Sequence, residues 1–245
     1  MLTWRDIRVR YKQAVMGFLW ALLIPMIAVS AAIIIRVAIA EWSGGQVATG
    51  SIKSVMVRAV AWSFFLAGIR FGTNSLILNT NLVTKLAFPK EVFPIASTLA
   101  CLFDFAIAFV AILVIMALTG WVPSVYAPLA IPLVALLWLM TMGLSLLLSA
   151  ANLFFRDVKY IVEAVLMYAI FFTPVLYEAS DLGKWRPIAL LNPVAPLLES
   201  LADVVAYGRA PDVAWISYSA VMAIVVFLCS YWLFKQLEFK FAENI

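Results

Sequence analysis

Long apolar runs divide this chain, and the short segments between them hold most of its charge. Residues 18–39, 55–69 (with a weaker continuation towards Leu78), 95–118, 129–153, 161–176 and 215–234 each carry at most one charged side chain. At about 1.5 Å per residue the first run would make a helix of about 33 Å, enough to cross the ~30 Å hydrocarbon core of a bilayer. The fifth is short but extends backwards through Val158. The pattern predicts an all-α membrane protein with six transmembrane helices. Two further stretches are patterned but do not cross. In residues 2–13, at about 100° per residue, Trp4, Ile7 and Tyr11 fall on one side, and Arg5, Arg8 and Lys12 fall close together beside them, which predicts a helix lying at the membrane interface. Residues 184–191 and 195–207 are too short to span and are separated by Asn192 and Pro193. They read either as a re-entrant pair dipping into the outer leaflet or as surface helices under the headgroups; non-helical backbone at depth is tolerated only inside protein or along a cavity. The layout is one membrane domain over 1–245: interface helix 1–16, spans one to five 17–176, an outer re-entrant gate region 177–214, and span six with a cytoplasmic tail 215–245.

Basic residues set the orientation. With the N-terminus inside, Arg5, Arg8, Arg10, Lys12, Arg70, Lys85, Lys90, Arg156, Lys159, Lys235 and Lys240 are cytoplasmic, against Arg36, Lys53, Arg58, Lys184, Arg186 and Arg209 elsewhere. That asymmetry places both termini in the cytoplasm. Composition agrees: 66% of the 245 residues are apolar and 12% charged, about half the charge of a soluble domain. The chain has no histidine, which removes imidazole bases and histidine metal ligands. Cys101 and Cys229 sit alone in apolar runs, so no CxxC pair, zinc site or disulfide framework is expected. Ser43-Gly44-Gly45-Gln46 resembles part of an ATPase signature, but no P-loop accompanies it. The chain is expected to bind no nucleotide, metal or other cofactor and to have no catalytic residue; too few groups remain for an intramembrane enzyme.

Several side chains stand out chemically. Arg5, Arg8, Arg10 and Lys12 could hold a phosphate or pyrophosphate, or serve as a positive-inside anchor on anionic lipid. The loop over 79–94 holds Lys85, Phe88, Pro89, Lys90 and Glu91, and its prolines stiffen it for docking a partner or simply for turning. Tyr160, Tyr168, Phe171, Phe172 and Tyr177 are concentrated around span five, with Tyr168, Phe171 and Phe172 at i, i+3 and i+4. Such a stripe could stack on sugar rings or pack against a helix. Asp104, well inside span three, is costly in a membrane. It reads as paired with Arg58 or Arg70, or alternatively as the coupling carboxylate of a proton-driven carrier. Gly68 and Gly72 on span two, and Ala28 and Ala32 on span one, signal close helix packing.

The order of motifs also resembles a family. Arg5-Asp6-Ile7, Val9-Arg10-Tyr11-Lys12-Gln13, Gly17, Trp20 and Pro25 resemble the N-terminal signature of permeases of ABC-2 polysaccharide exporters. Asn81-Leu82, Lys85 and Phe88-Pro89 are similar to that family's loop after span two, and Asn152 with Arg156-Asp157-Val158 to its loop between spans four and five. Thr173-Pro174-Val175-Leu176-Tyr177 and Leu191-Asn192-Pro193 are similar to its re-entrant region. The resemblance implies a homodimer of six-helix permeases with two separate ABC ATPase subunits. It would export a lipid-linked glycan such as O-antigen on undecaprenyl pyrophosphate, teichoic acid precursors or capsule across the bacterial inner membrane. It further implies Arg5, Arg8, Arg10 and Lys12 as headgroup ligands, and Lys85, Phe88, Pro89, Lys90, Arg156 and Asp157 as the ATPase-coupling element. Tyr160, Tyr168, Phe171, Phe172 and Tyr177 become channel lining, and Trp185, Asn192 and Pro193 the outer gate.

Overall fold

A computed structural model describes Thr3 and residues 19–42, 49–85 and 89–243. The predicted interface helix with Arg5, Arg8, Arg10 and Lys12 lies outside the described residues, as do Phe88 and residues 43–46. Each predicted apolar run is helical over most of its described length. The long helices are α1 (Leu19–Trp42), α2 (Thr49–Leu78), α4 (Val92–Leu118), α5 (Ala130–Phe154), α6 (Val158–Phe172) and α9 (Val213–Leu237). Three short ones, α3 (Thr80–Lys85), α7 (Arg186–Leu190) and α8 (Ala195–Ala202), lie between them.

Among the described residues, four segments are long and apolar enough to cross a membrane, against the six predicted: Ile52–Leu78, Val92–Leu118, Ala127–Phe154 and Val213–Phe241. Helix α6 has 15 residues, about 22 Å of rise. It stops before the end of its apolar run because Thr173 turns extended, at ψ 132°, as a residue ahead of proline is driven to do. Helix α2 runs 30 residues, starting at Thr49 ahead of its apolar run and taking in the weaker, more polar continuation to Leu78. There Thr73 Oγ1 donates to the Ile69 carbonyl at 2.7 Å and Asn74 Nδ2 to that of Arg70 at 2.9 Å. Such back-bonding meets the side chains' hydrogen-bonding need within the helix itself.

Helix α2 forms the axis of the packing, with α1, α4, α5 and α8 around it. Within a bilayer, lipid tails are as apolar as side chains, so association depends on close van der Waals fit and on small residues. Gly68 and Gly72 supply that fit. They face Thr141 and Ser145 of α5, and a Cβ on either glycine would overlap those side chains. Ser145 Oγ donates across the contact to the Gly68 carbonyl at 3.1 Å. Gly143, on the same helix, lets α9 approach so closely that a Cβ there would lie 2.8 Å from Phe227 Cα. The GxxxG pair of α2 therefore serves packing within one chain. Above it, Trp62, Phe64, Phe65 and Ile69 meet Phe105, Leu137 and Leu197 in the main core.

A second core lies at the predicted cytoplasmic end, where Leu76, Val83, Phe93, Leu153, Phe234 and Phe241 are buried together. Phe241 comes from the 3-10 turn Glu238–Glu243, which folds back so that its ring sits 5.1 Å from that of Phe234.

Candidate functional site

The region predicted to face outward is built around a buried cation. Arg58 is 1% exposed and is the only charged residue in its apolar run. Burying a guanidinium is costly unless it is paired and hydrogen-bonded, and its partners come from its own helix and from two later segments of the chain. Its Nη1 donates to Glu199 Oε1 at 2.6 Å and to the Tyr177 carbonyl at 2.9 Å. Its Nη2 donates to Ser54 Oγ at 3.0 Å and lies 3.7 Å from Glu178 Oε1. Tyr207 donates its hydroxyl to Glu178, and Glu199 also accepts from the Ala179 N–H at 3.2 Å. Helix α2 is thus fastened to the turn after α6 and to α8. Burial pushes the Glu199 carboxyl above its ordinary range against the opposing pull of Arg58. Burial does the same to Asp203, against Arg209, which is 2.7 Å away. The sequence reading offered Arg58 and Arg70 as partners of Asp104. Their ion pairs go elsewhere, Arg58 to Glu199 and Glu178, and Arg70 to Glu163 at 2.9 Å.

The two short outer helices have different surroundings. Leu197, Leu198 and Leu201 of α8 have no exposed surface, and α8 packs on α2, α5 and α9. A surface position under the headgroups is therefore ruled out for α8. Helix α7 does present Arg186, Pro187 and Ile188 outward. Asn192 makes the corner between them. Its Oδ1 accepts the Val194 N–H at 3.2 Å, and its Nδ2 donates to Thr173 Oγ1 at 2.8 Å. The residue that ends α6 is thereby tied to the start of α8. Pro193 is half-buried in this corner and Trp185 is exposed ahead of α7, with Lys184 Nζ 5.9 Å from its ring.

Helix α6 buries Val162 and Leu166 and exposes Tyr160, Tyr168, Phe171 and Phe172. Among the described residues, the aromatic stripe is therefore largely uncovered. Tyr177, grouped with it from sequence, belongs to the turn. Its carbonyl accepts from Arg58, and its hydroxyl donates to the Phe171 carbonyl at 3.2 Å.

The arrangement can be set beside known proteins. Residues 1–205 match the model of a family described as ABC-2 type transporter. The chain belongs to that family. It is 27% identical to the O-antigen export system permease protein RfbA of Klebsiella pneumoniae, over 99% of this chain and 93% of that one. It is likewise 27% identical to the protein of the same name from Myxococcus xanthus, over 100% of this chain and 94% of that one. As an ABC-2 transporter with several apolar helices, the protein is a multi-pass inner-membrane permease. Family membership also implies an ABC ATPase partner.

In this ABC-2 permease the described coupling candidates fall on two turns, predicted to be cytoplasmic, that the C-terminal tail joins. Lys85 ends α3, with its side chain outside the described set, and Pro89 is exposed. The Lys90 N–H donates to Glu238 Oε1 at 3.0 Å. Lys235 Nζ lies 2.7 Å from Glu91 Oε1 and 3.0 Å from Glu238 Oε2. Arg156 and Asp157 are exposed in the turn between α5 and α6. Nearby, the Phe154 ring is 5.8 Å from that of Phe241. Asn152, fully buried, fixes the start of α6: its Nδ2 donates to the Thr73 carbonyl at 3.1 Å and its Oδ1 accepts the Lys159 N–H at 3.3 Å. Sequence reasoning missed Glu178, Glu199, Tyr207, Lys235, Glu238 and Phe241. For the outer group the usable signal was Arg58, a lone cation in an apolar run that had to be paired.

Proposed function

We propose that this ABC-2 chain is the membrane subunit of an ATP-driven exporter that carries lipid-linked polysaccharide, O-antigen on undecaprenyl pyrophosphate, outward across the inner membrane. It works as a homodimer with two ABC ATPase subunits, which bind and hydrolyse the ATP; the permease itself has no catalytic residue, metal or cofactor. The observation that carries this reading is the end-to-end similarity to permeases named for O-antigen export.

The residues take roles that their chemistry suits. Arg5, Arg8, Arg10 and Lys12 receive the pyrophosphate at the cytoplasmic leaflet through charge-assisted hydrogen bonds. The outward aromatic face of α6, with Tyr160, Tyr168, Phe171 and Phe172, guides the sugars by stacking. Tyr177, half-buried in the turn below the gate, closes that lining at its outer end. Lys85, Phe88, Pro89, Lys90, Arg156 and Asp157 meet the ATPase and pass its closure to the helices. Trp185, Asn192 and Pro193, with α7 and α8, form the outer gate, held shut by the Arg58 cluster. Deleting the gene in its host should remove the surface polymer and leave completed chains inside, and the intact gene should restore it. An unchanged surface polymer in the deletion strain would refute the proposal. Within that assay, changing Arg5, Arg8 and Lys12 to Gln should cut export without lowering membrane insertion.

A further inference from the structure

An exposed ion pair, Arg70–Glu163, joins α2 to α6. Arg70 Nε lies 2.9 Å from Glu163 Oε2, and the two side chains are 46% and 47% exposed. Arg70 directly follows the apolar run of α2, about 12 Å from its Leu78 end, and Glu163 stands inside the fifth apolar run, about 7.5 Å into α6, at ~1.5 Å per residue. Ionised side chains at such positions face a bundle interior or a water-filled space, not lipid. They also border a cleft of about 350 Å³ between α2 and α6, whose walls include Trp62, Leu66, Met167 and Ile170. Trp62 adds a second observation. It is 3% exposed, and its indole N–H has no partner among the described residues. A buried unpaired donor is rare and calls for a ligand or water. On the α6 side, Glu163, Met167, Tyr160 and Phe171 follow one another within an arc of about 80° at 100° per residue, so the cleft opens beside the aromatic face.

We propose that the Arg70–Glu163 pair and the Trp62 wall form a hydrated contact site for neutral sugar units, set in the conduit wall next to the aromatic face of α6. This rests on the export reading and adds a site to it. The chemistry selects the ligand class. The pair neutralises itself, so an anion gains nothing from Arg70 that Glu163 does not take back. A polyol gains from both, because its hydroxyls accept from the guanidinium and donate to the carboxylate while a ring face rests on the exposed Tyr160 and Phe171 rings of α6. The site therefore reads sugar hydroxyls, and the pyrophosphate is left to other groups.

The test uses the full permease with its ATPase in native membranes. With Cys101→Ala and Cys229→Ser as background, single cysteines replace Ala164, Met167 and, as a control on the exposed apolar face of α9, Leu228. A charged, membrane-impermeant methanethiosulfonate reagent should modify A164C and M167C at least tenfold faster than L228C. In cells making the polymer, that rate should fall at least threefold relative to cells blocked in polymer synthesis, and inorganic pyrophosphate should give no such protection. Replacing both partners, Arg70→Leu with Glu163→Leu, should cut export at least tenfold; a pair resting against lipid would be lost without consequence. Equal slow labelling at all three positions overturns the site. So does fast labelling that polymer does not slow, or that pyrophosphate slows. The labelling ratio needs no export, so it judges the hydrated cleft even if deletion of the gene leaves the surface polymer intact and the export reading falls.

Discussion

Replacing Arg58 with Met tests whether the outer region is fastened by charge. The substitution keeps most of the side chain's volume and removes its cation. Glu199, which holds Arg58 at 2.6 Å, and Glu178 at 3.7 Å would lose their common counter-charge, and the Tyr177 carbonyl would lose its donor. Breaking a buried ion pair from one side costs about 3–5 kcal/mol, chiefly for the charge left behind. Glu199 retains 19% side-chain exposure and burial already raises its carboxyl above the ordinary range, so without Arg58 it takes up a proton more readily than an exposed carboxylate, which places the expected cost near the lower limit, about 3 kcal/mol. Removing both partners, Arg58→Met with Glu199→Met, leaves no orphan in that pair, so the double variant should recover at least half of the loss. The assay is reversible unfolding of the purified permease in mixed micelles, read for the two single variants and the double. A cost below about 1 kcal/mol for R58M, or strictly additive effects, would refute the buried clamp.

Acidification should strengthen the same region. Glu199 and Asp203 are held above their ordinary values of 4.5 and 3.8, so their contribution is complete below those values and is lost as pH rises through the folded-state ones; E199Q and D203N should flatten the unfolding profile against pH. Gly72→Val should force α2 from α5 at Ser145, costing about 1–3 kcal/mol or more, and trimming Ser145 to Gly should restore monodisperse protein on size exclusion. Asn152→Leu abandons the Thr73 carbonyl and the Lys159 N–H, about 1–3 kcal/mol, measurable in the same micelle assay. Lys235→Met should lower thermal stability by less than about 1 kcal/mol, the pair being partly solvated, yet uncouple polymer export from ATP hydrolysis, seen as ATPase activity without transport. Phe171→Ala and Phe172→Ala remove exposed rings, so folded yield should hold while export slows; a loss of folded protein would assign them to packing.

The helices were legible because apolar runs bounded by charge and proline survive any detail of packing, and the Gly68/Gly72 spacing announced a close contact that α5 provides. Asn192 and Pro193 marked the corner between α7 and α8. Helix lengths were less legible: α2 starts at Thr49, ahead of its apolar run, and Thr73 and Asn74 bond back to their own helix through its weaker continuation, while Pro174 ended α6 early. The Arg58 cluster was hidden for a different reason. Ser54, Glu178, Glu199 and Tyr207 are brought together across separations of up to 153 residues, and no local period records that. Counting outer charges treated Arg58 as a topology marker, when its isolation in an apolar run should have prompted a search for buried carboxylates. The tail residues Lys235, Glu238 and Phe241 looked like an ordinary charged terminus, because their partners Glu91 and Phe154 lie on other loops.

ATP-driven export requires this permease to work with an ATPase. The direct measurement is affinity purification from gently solubilised native membranes, identifying and counting the proteins that accompany it. The account predicts an ABC ATPase at one copy per permease, in an assembly containing two permeases, with ATP hydrolysis that responds to the lipid-linked polymer. A homo-oligomer free of any ATPase, with cross-linking in intact membranes finding none either, would contradict it.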